Sequence, residues 1–274
     1  MRKDRQLSVA LINGLNYYSG HDFGSYEFPE DEIESAVDAI ATDSKGNRMA
    51  IEHTLIQPYL GEKEDTQRFR EVFVPLEDDP SLRLPGFDVQ LWPGVGSVQK
   101  GTRKLEREHL RDTLQSWFRD TVDKLPKGRS VQTIADLPFT VYVIKYPHSD
   151  GRVFVGRSAV PDTFSAVVEN ALKTKLPKLV ATSVEERILL LETDSYLDHE
   201  KLSSLIKSLA SSYPALDKID EVWVVDTVIW ERSGTLWFSK VWPDGVSDVF
   251  ELSFPQGSDA PILIRGVSFC KSKE

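Results

Sequence analysis

AVDAIATDSKGNRMAIEHTLIQ, residues 36–57, is the stretch that decides the fold of this chain. It predicts a β-hairpin, with one apolar strand at Val37–Thr42 and another at Met49–Ile56. Between the strands, residues 44–47 (Ser-Lys-Gly-Asn) are typical of a turn, because Gly and Asn accept positive φ angles. We therefore expect the hairpin to form part of the central sheet.

Each strand of the predicted hairpin carries one acid, Asp38 in the first and Glu52 in the second. Side chains alternate along a strand, so the loop length decides whether the two acids share a face. A three-residue loop, Lys45–Asn47, makes them diagonal neighbours roughly 7–8 Å apart at the backbone. A five-residue loop sets them directly opposite one another, and a four-residue loop puts them on opposite faces. The sequence favours an odd loop, because three-residue loops containing Gly or Asn are common in hairpins.

Two carboxylates in otherwise apolar strands need a physical reason, because burying an unpaired charge is costly. Convergent carboxylates on one sheet face suit a hard divalent cation such as Mg²⁺ or Mn²⁺, which takes oxygen ligands and also binds phosphate oxygens. We therefore expect Asp38 and Glu52 to be metal ligands. The alternative is that both are solvated residues on a sheet with one exposed face.

The hairpin resembles the core of the PD-(D/E)XK nuclease superfamily. Asp38 matches the Asp of that pattern, and Glu52-His53-Thr54 matches its (D/E)-x-K triplet, with Thr54 in place of the lysine. The resemblance implies a restriction-endonuclease-like fold and a magnesium-dependent endonuclease that cleaves phosphodiesters of nucleic acid, with DNA as the expected substrate. It further implies a place among bacterial restriction or defence proteins, with Thr54 lining the catalytic site.

The missing lysine has three candidate replacements elsewhere in the chain. Lys63 follows the hairpin in the connection that leaves its second strand, whereas Lys173 and Lys175 lie on a helix predicted over about residues 161–176. We expect one of the three to orient the attacking water. The alternative for Lys63 is an ordinary surface charge, and for the other two it is a complement to the helix dipole.

The predicted fold class is α/β (α+β), a mixed β-sheet core flanked by helices, with an inserted subdomain. The apolar runs Ile188–Leu191 and Glu221–Val225, with a helix between them, predict a parallel pair joined by a right-handed crossover. Residues 1–56 then form the N-terminal part of the core, residues 57–135 a helical insertion, and residues 136–274 the C-terminal part.

Composition and net charge bear on the binding partners and the cellular compartment of the protein. The 274 residues carry a net charge of −10, which disfavours a surface coated for non-specific nucleic-acid binding. A single cysteine excludes an intramolecular disulfide and fits the reducing cytoplasm, and no apolar run is long enough to span a membrane. The acidic surface leaves a second hypothesis open, a catalytically inactive nuclease-fold protein that binds a protein partner or forms a homodimer.

Overall fold

The structure, a computed structural model, describes residues 2–31, 36–158, 161–195, 197–228, 230–254 and 262–268. The chain has an α+β fold that divides into two compact units. The first unit combines Met1–Leu60 with Thr163–Glu274, and the second consists of Gly61–Asp162.

Helices and strands alternate irregularly along the chain. The helices are α1 Lys3–Ser19, α2 Glu62–Val72, α3 Val74–Asp78, α4 Lys104–Thr121, α5 Phe164–Ala181, α6 His199–Leu209 and α7 Trp230–Ser233. The strands are β1 Ser25–Glu27, β2 Ala39–Thr42, β3 Arg48–Leu55, β4 Phe87–Pro93, β5 Gly128–Thr133, β6 Thr140–Pro147, β7 Val153–Val155, β8 Glu186–Thr193, β9 Glu221–Asp226, β10 Thr235–Trp242, β11 Asp248–Ser253 and β12 Ile262–Ser268.

The first unit is built on an eight-stranded mixed sheet in the order β1-β2-β3-β8-β9-β10-β11-β12. Strands β3, β8 and β9 run parallel to one another, and the remaining neighbours are antiparallel. The parallel pairing of β8 with β9, predicted from their uninterrupted apolar sequence, is confirmed. The predicted hairpin of β2 and β3 is confirmed as well.

Both faces of this sheet are covered by apolar side chains, as a mixed sheet with a parallel centre requires. Alternation along β8 divides its residues: Leu189 and Leu191 pack with α5 and α6, whereas Ile188 and Leu190 pack with α1. We refer to these faces as the α5 side and the α1 side. Glu52 shares the α5 side with Ala50, two residues before it on β3.

Helix α1 approaches the sheet closely at Gly14. A Cβ atom built on Gly14 would lie 2.3 Å from the ring of Phe250, which is fully buried in the same cluster. We expect Gly14→Ala to lower the free energy of unfolding by about 2 kcal/mol, because overpacking outweighs the gain in helix propensity. Urea denaturation would measure the loss, and Gly20→Ala is unsuitable as a control because Gly20 has a positive φ. An unchanged or raised stability of Gly14→Ala would contradict the close approach.

A half-buried carboxyl group, that of Glu186, begins β8. Burial raises the pKa of Glu186 to about 7, and the negative charges of Glu221 and Asp220 act in the same direction. The unfolded chain releases this proton near its ordinary pKa, whereas the folded chain retains it until about pH 7. The stability that the protonated group provides is therefore complete below about pH 4.5 and is lost as the pH rises through 7.

Glu186→Gln should remove this pH dependence, because the amide stays neutral in both the folded and unfolded states. We expect the variant to match the parent protein near pH 4 and to exceed its free energy of unfolding by about 1 kcal/mol at pH 8, after allowance for solvent screening. Urea denaturation at the two pH values gives the comparison. An equal difference between variant and parent at both values would contradict the raised pKa.

The second unit contains a four-stranded sheet in the order β5-β6-β4-β7. One face of it packs against helical residues in a separate apolar core, which includes Leu91, Leu114 and Val143. Lys145 of β6 is buried within the second unit. Its Nζ atom donates to the backbone carbonyls of Val122, Asp123 and Leu125 at 2.6–3.2 Å. The lysine thereby binds the carbonyl groups of the 3-10 turn Val122–Lys124 and of Leu125, which follow α4; Val122 also accepts the N–H of Leu125 at 3.2 Å.

Two sequence-based expectations differ from this arrangement. Residues 139–146 and 153–155 are β-rich and predict a hairpin, but this prediction is wrong, because β6 and β7 each pair with β4 and lie on opposite sides of it. The predicted insertion, 57–135, ends before these strands, whereas the second unit runs from Gly61 to Asp162. The boundary lies further along the chain because β6 and β7 both pair with β4 and so belong to its sheet.

Candidate functional site

The register of the hairpin places the two acids on the same face. Ala39 pairs with Ile51 and Thr42 with Arg48, so continuing the ladder by one residue sets Asp38 directly opposite Glu52. The diagonal arrangement predicted from a loop over Lys45–Asn47 is wrong, and the directly opposed alternative holds.

The loop itself explains the shift in register. Five residues, 43–47, join the paired ends Thr42 and Arg48, and within this loop a backbone hydrogen bond links Asp43 to Asn47, so the tight turn spans Ser44 to Gly46. The Asp43 carboxylate accepts bonds from the N–H groups of Lys45 and Asn47 at 2.8 Å, and Gly46 takes a φ of 90°. An Asx-type turn anchored on Asp43 therefore starts the loop one residue earlier than predicted.

Glu52 is a fully buried carboxylate with partners on both oxygens. Its Oε1 atom lies 2.6 Å from Nζ of Lys175 and 3.4 Å from Nζ of Lys178, and its Oε2 atom accepts the backbone N–H of Asp38 at 3.1 Å. Burial raises the pKa of Glu52, the Lys175 hydrogen bond opposes that rise, and the Asp38 charge adds to it. The two lysines of α5 are thus what makes this burial tolerable.

Asp38 contacts the same lysine and one backbone donor. Its Oδ2 atom accepts the backbone N–H of His53 at 2.6 Å and lies 3.9 Å from Nζ of Lys175. A single ammonium group therefore lies between the carboxylates of opposed strands. The positive charge of Lys175 and the backbone N–H groups of Asp38 and His53 together hold both carboxylates in place.

Glu30 adjoins this pair, although an acidic stretch such as residues 30–34 is typical of a solvated loop. Burial raises the pKa of Glu30 to about 7, and hydrogen bonding to Asp38 together with the charge of Asp38 contributes to that rise. Its Oε1 atom is 2.7 Å from the guanidinium of Arg2. The only sequence signal for this placement was Pro29, which begins the short 3-10 turn that carries Glu30.

The structure separates the residues proposed to fill the lysine position. Lys175 contacts both acids, whereas Lys173 is exposed and has no ion pair or hydrogen bond within the described part of the chain. Thr54 is half-buried on β3, two residues beyond Glu52 and on the same face. Lys63 is exposed on the first turn of α2, in the second unit, and its role stays a prediction.

Helical spacing explains why α5 directs one lysine inward and not the other. Lys175 follows buried Ala171 by four residues, and Lys178 follows Lys175 by three, so these three positions share one face of the helix. Lys173 is two residues from Lys175 and points away. This spacing is readable from the sequence, and it includes Lys178, which was not among the predicted site residues.

The α1 side of the same strands holds a second buried carboxylate, Glu192. It accepts bonds from His53 Nε2 and Thr227 Oγ1 at 3.0 Å and pairs with Nζ of Lys3 at 2.6 Å. Burial alone would raise the pKa of Glu192, but the hydrogen bonds and charges of His53 and Lys3 outweigh it and hold that pKa at about 2. His53 therefore joins the two clusters, with its side chain on Glu192 and its N–H group on Asp38.

The donor chemistry of the Asp38–Glu52 pair fits a hard cation. Carboxylate oxygens are the ligands that Mg²⁺ takes, and an ion held by two carboxylates completes its coordination with water. The described residues contain no group of three or more His, Cys, Asp or Glu side chains arranged around a metal. Lys175 and Lys178, with side chains 21% and 28% exposed, connect the pair to solvent.

Comparisons with protein-family models, with curated proteins and with solved structures return no match for this chain. Of the helices in the described residues, none combines the length and the apolar character that crossing a bilayer requires. The interpretation of the site therefore depends on its own geometry and chemistry.

Proposed function

We propose that this protein is a magnesium-dependent phosphodiester hydrolase acting on nucleic acid, with DNA as the first substrate to test. The observation that carries the proposal is the Lys175 ammonium group, which lies 2.6 Å from Glu52 Oε1 and 3.9 Å from Asp38 Oδ2. Two acids held by the sheet and one lysine beside them are the residue types that the PD-(D/E)XK resemblance requires, with the lysine supplied by α5 instead of by position 54.

Each residue has a distinct proposed role. Asp38 and Glu52 would hold the ion, and the backbone donors on both carboxylates keep them oriented toward it. A bound Mg²⁺ or Mn²⁺ supplies Lewis acidity toward the phosphate and lowers the pKa of its water. Lys175 supplies a fixed positive charge beside the acids, where it orients the nucleophilic water and stabilises developing negative charge. Thr54 lines the site and contributes no charge.

The order of elements supports the same interpretation. Within the first unit, helix α1 is followed by the antiparallel strands β1, β2 and β3 and, after the second unit, by α5 and by β8, which is parallel to β3. This is a mixed sheet flanked by helices, as the resemblance to restriction-endonuclease-like folds implies. A role in bacterial restriction or defence, within the reducing cytoplasm that a single cysteine favours, forms part of the proposal.

One observation favours a second candidate, a catalytically inactive interaction module. Both oxygens of Glu52 already have partners, and the motif position held by Thr54 lacks a charge. An ion pair that only stabilises the fold would have the same contacts. In that case the acidic chain would bind a protein partner or form a homodimer, and the site would have no metal affinity.

Cleavage of labelled oligonucleotides separates the two candidates. We expect single- or double-stranded DNA or RNA to be cut in Mg²⁺ or Mn²⁺ and to stay intact in EDTA, with each substrate tested separately. The absence of cleavage of all four substrates, in either metal, would reject the hydrolase and leave the interaction module.

A further inference from the structure

The outer face of the second unit's sheet carries aromatic side chains, of which Tyr142 and Phe154 are exposed and Trp92 and Tyr146 half-buried. Along β6, Val141 and Val143 are buried, whereas Tyr142, which lies between them, is 51% exposed. Tyr142 pairs with Trp92 of β4, and Phe154 of β7, 39% exposed, lies on the same face. We call the set Trp92, Tyr142, Tyr146 and Phe154 the aromatic face.

Hydrogen bonds hold two of these rings in place across the sheet. Gln90 lies between them, where its Oε1 accepts from Trp92 Nε1 at 3.2 Å and its Nε2 donates to the hydroxyl of Tyr146 at 3.5 Å. A Cβ atom on Gly156 would lie 2.4 Å from the Trp92 ring, so the ring rests directly on a backbone that only glycine allows. Trp92 and Tyr146 are therefore held in fixed positions within the aromatic face.

The charge around the aromatic face permits an anionic ligand. Arg129 pairs with Ile144, which places its exposed side chain on the same face, and it has no ion pair within the described part of the chain. Residues 61–162 contain sixteen Lys and Arg and sixteen Asp and Glu, so the chain's net charge of −10 falls entirely on the other unit. The second unit is thus the part of the chain that does not repel a polyanion.

A groove adjoins the aromatic face at Tyr142. Its volume is about 620 Å³, and its polar lining consists of the hydroxyl groups of Ser97, Thr133, Thr140 and Ser158. None of the residues that line it carries a charged side chain. The Ser97 hydroxyl donates to the carbonyl of Gly94 and the Ser158 hydroxyl to that of Pro93, so both can serve a ligand as acceptors, whereas the Thr133 and Thr140 hydroxyls can donate. Hydroxyl groups beside an exposed ring suit the sugar and phosphate of a nucleotide whose base stacks on that ring.

We propose that the aromatic face binds single-stranded nucleic acid, with bases stacked on Tyr142 and Phe154 and a backbone phosphate near Arg129. A duplex buries the faces of its bases, so only an unpaired strand can use exposed rings in this way. The inference goes beyond the proposed hydrolase, because it concerns binding by the second unit and requires neither a metal nor the acids of the first.

Fluorescence anisotropy with a labelled single-stranded oligonucleotide tests the proposal in the full-length protein. The buffer contains EDTA and little salt, so failure of the metal site leaves the measurement unaffected. We expect Tyr142→Ala and Phe154→Ala each to weaken binding about tenfold, as loss of one stacked base does. Arg129→Ala should reduce the dependence of binding on log salt by about 0.7, the value for one phosphate contact on a single strand.

The matched control is Tyr17→Ala, which removes an aromatic ring that is 74% exposed on α1 and should leave binding unchanged. Circular dichroism checks that each variant is folded. Undetectable binding by the parent protein, or equal affinity in Tyr142→Ala and the parent, would overturn the proposal. It would also be overturned if light scattering showed self-association that Tyr142→Ala abolishes, because the face would then bind a second copy of the chain.

Discussion

Glu52→Gln is expected to reduce metal-dependent cleavage by about a thousandfold or more. The amide retains the size of the side chain but removes the negative charge that would hold the cation, and transition-state stabilisation by the site falls with it. The backbone N–H of Asp38 still has an acceptor in the Gln side chain, so the hairpin should retain its register. Initial rates at saturating Mg²⁺, followed with the oligonucleotide that the parent protein cuts best, would measure the loss.

Glu186→Gln is the matched control for this variant. It makes the same substitution at a half-buried position of the same sheet, on β8, which is the neighbouring strand of β3. Its cleavage rate should stay within about twofold of the parent rate at neutral pH. Equal rates for Glu52→Gln and Glu186→Gln would contradict the role assigned to Glu52.

Lys175→Met is expected to lower the free energy of unfolding by about 2 kcal/mol. Removing one member of a buried ion pair leaves the other charge uncompensated, which is costly even where the pair itself adds little. Lys178, at 3.4 Å from Glu52 Oε1, offsets part of the loss, so the effect should stay below the largest values seen for buried pairs. Urea denaturation at pH 7 and constant ionic strength provides the measurement.

The same helix supplies the control for Lys175→Met. Lys173 is exposed two residues away, and Lys173→Met should change the free energy of unfolding by no more than about 0.5 kcal/mol. In the double variant Lys175→Met with Glu52→Gln, the destabilisation should be smaller than the sum of the two single effects, because no buried carboxylate is left unpaired. Additive effects would show that the two side chains do not interact.

The hairpin was predictable because its information is local. Apolar runs of strand length flank turn residues, and two acids within such runs stand out from their surroundings. Its register was harder to predict, since it depends on which residue anchors the turn. The Asp43 carboxylate anchors the turn by accepting the N–H groups of Lys45 and Asn47. The Gly-Asn pair at 46–47 indicates a turn but not the residue at which it starts.

The partners of the acids could be predicted only in part. Lys175 lies 123 positions from Glu52, and the second unit intervenes between them, so choosing it over Lys173 required knowing which face of α5 meets the sheet. Glu30 was marked only by the preceding Pro29, and the spacing of Lys178 from Lys175 indicates a shared helix face without showing that this face meets the sheet. The pairing of β4 with both β6 and β7 was missed for a related reason, because apolar alternation identifies strands without naming their neighbours.

The most direct measurement of the central claim is isothermal titration calorimetry of the full-length protein with Mn²⁺ and with Mg²⁺. If Asp38 and Glu52 hold one divalent ion, the parent protein and Glu186→Gln should each bind one equivalent. Asp38→Asn and Glu52→Gln should both lose that binding while remaining folded. A parent protein that binds neither ion, or binding that survives in both variants, would contradict the claim.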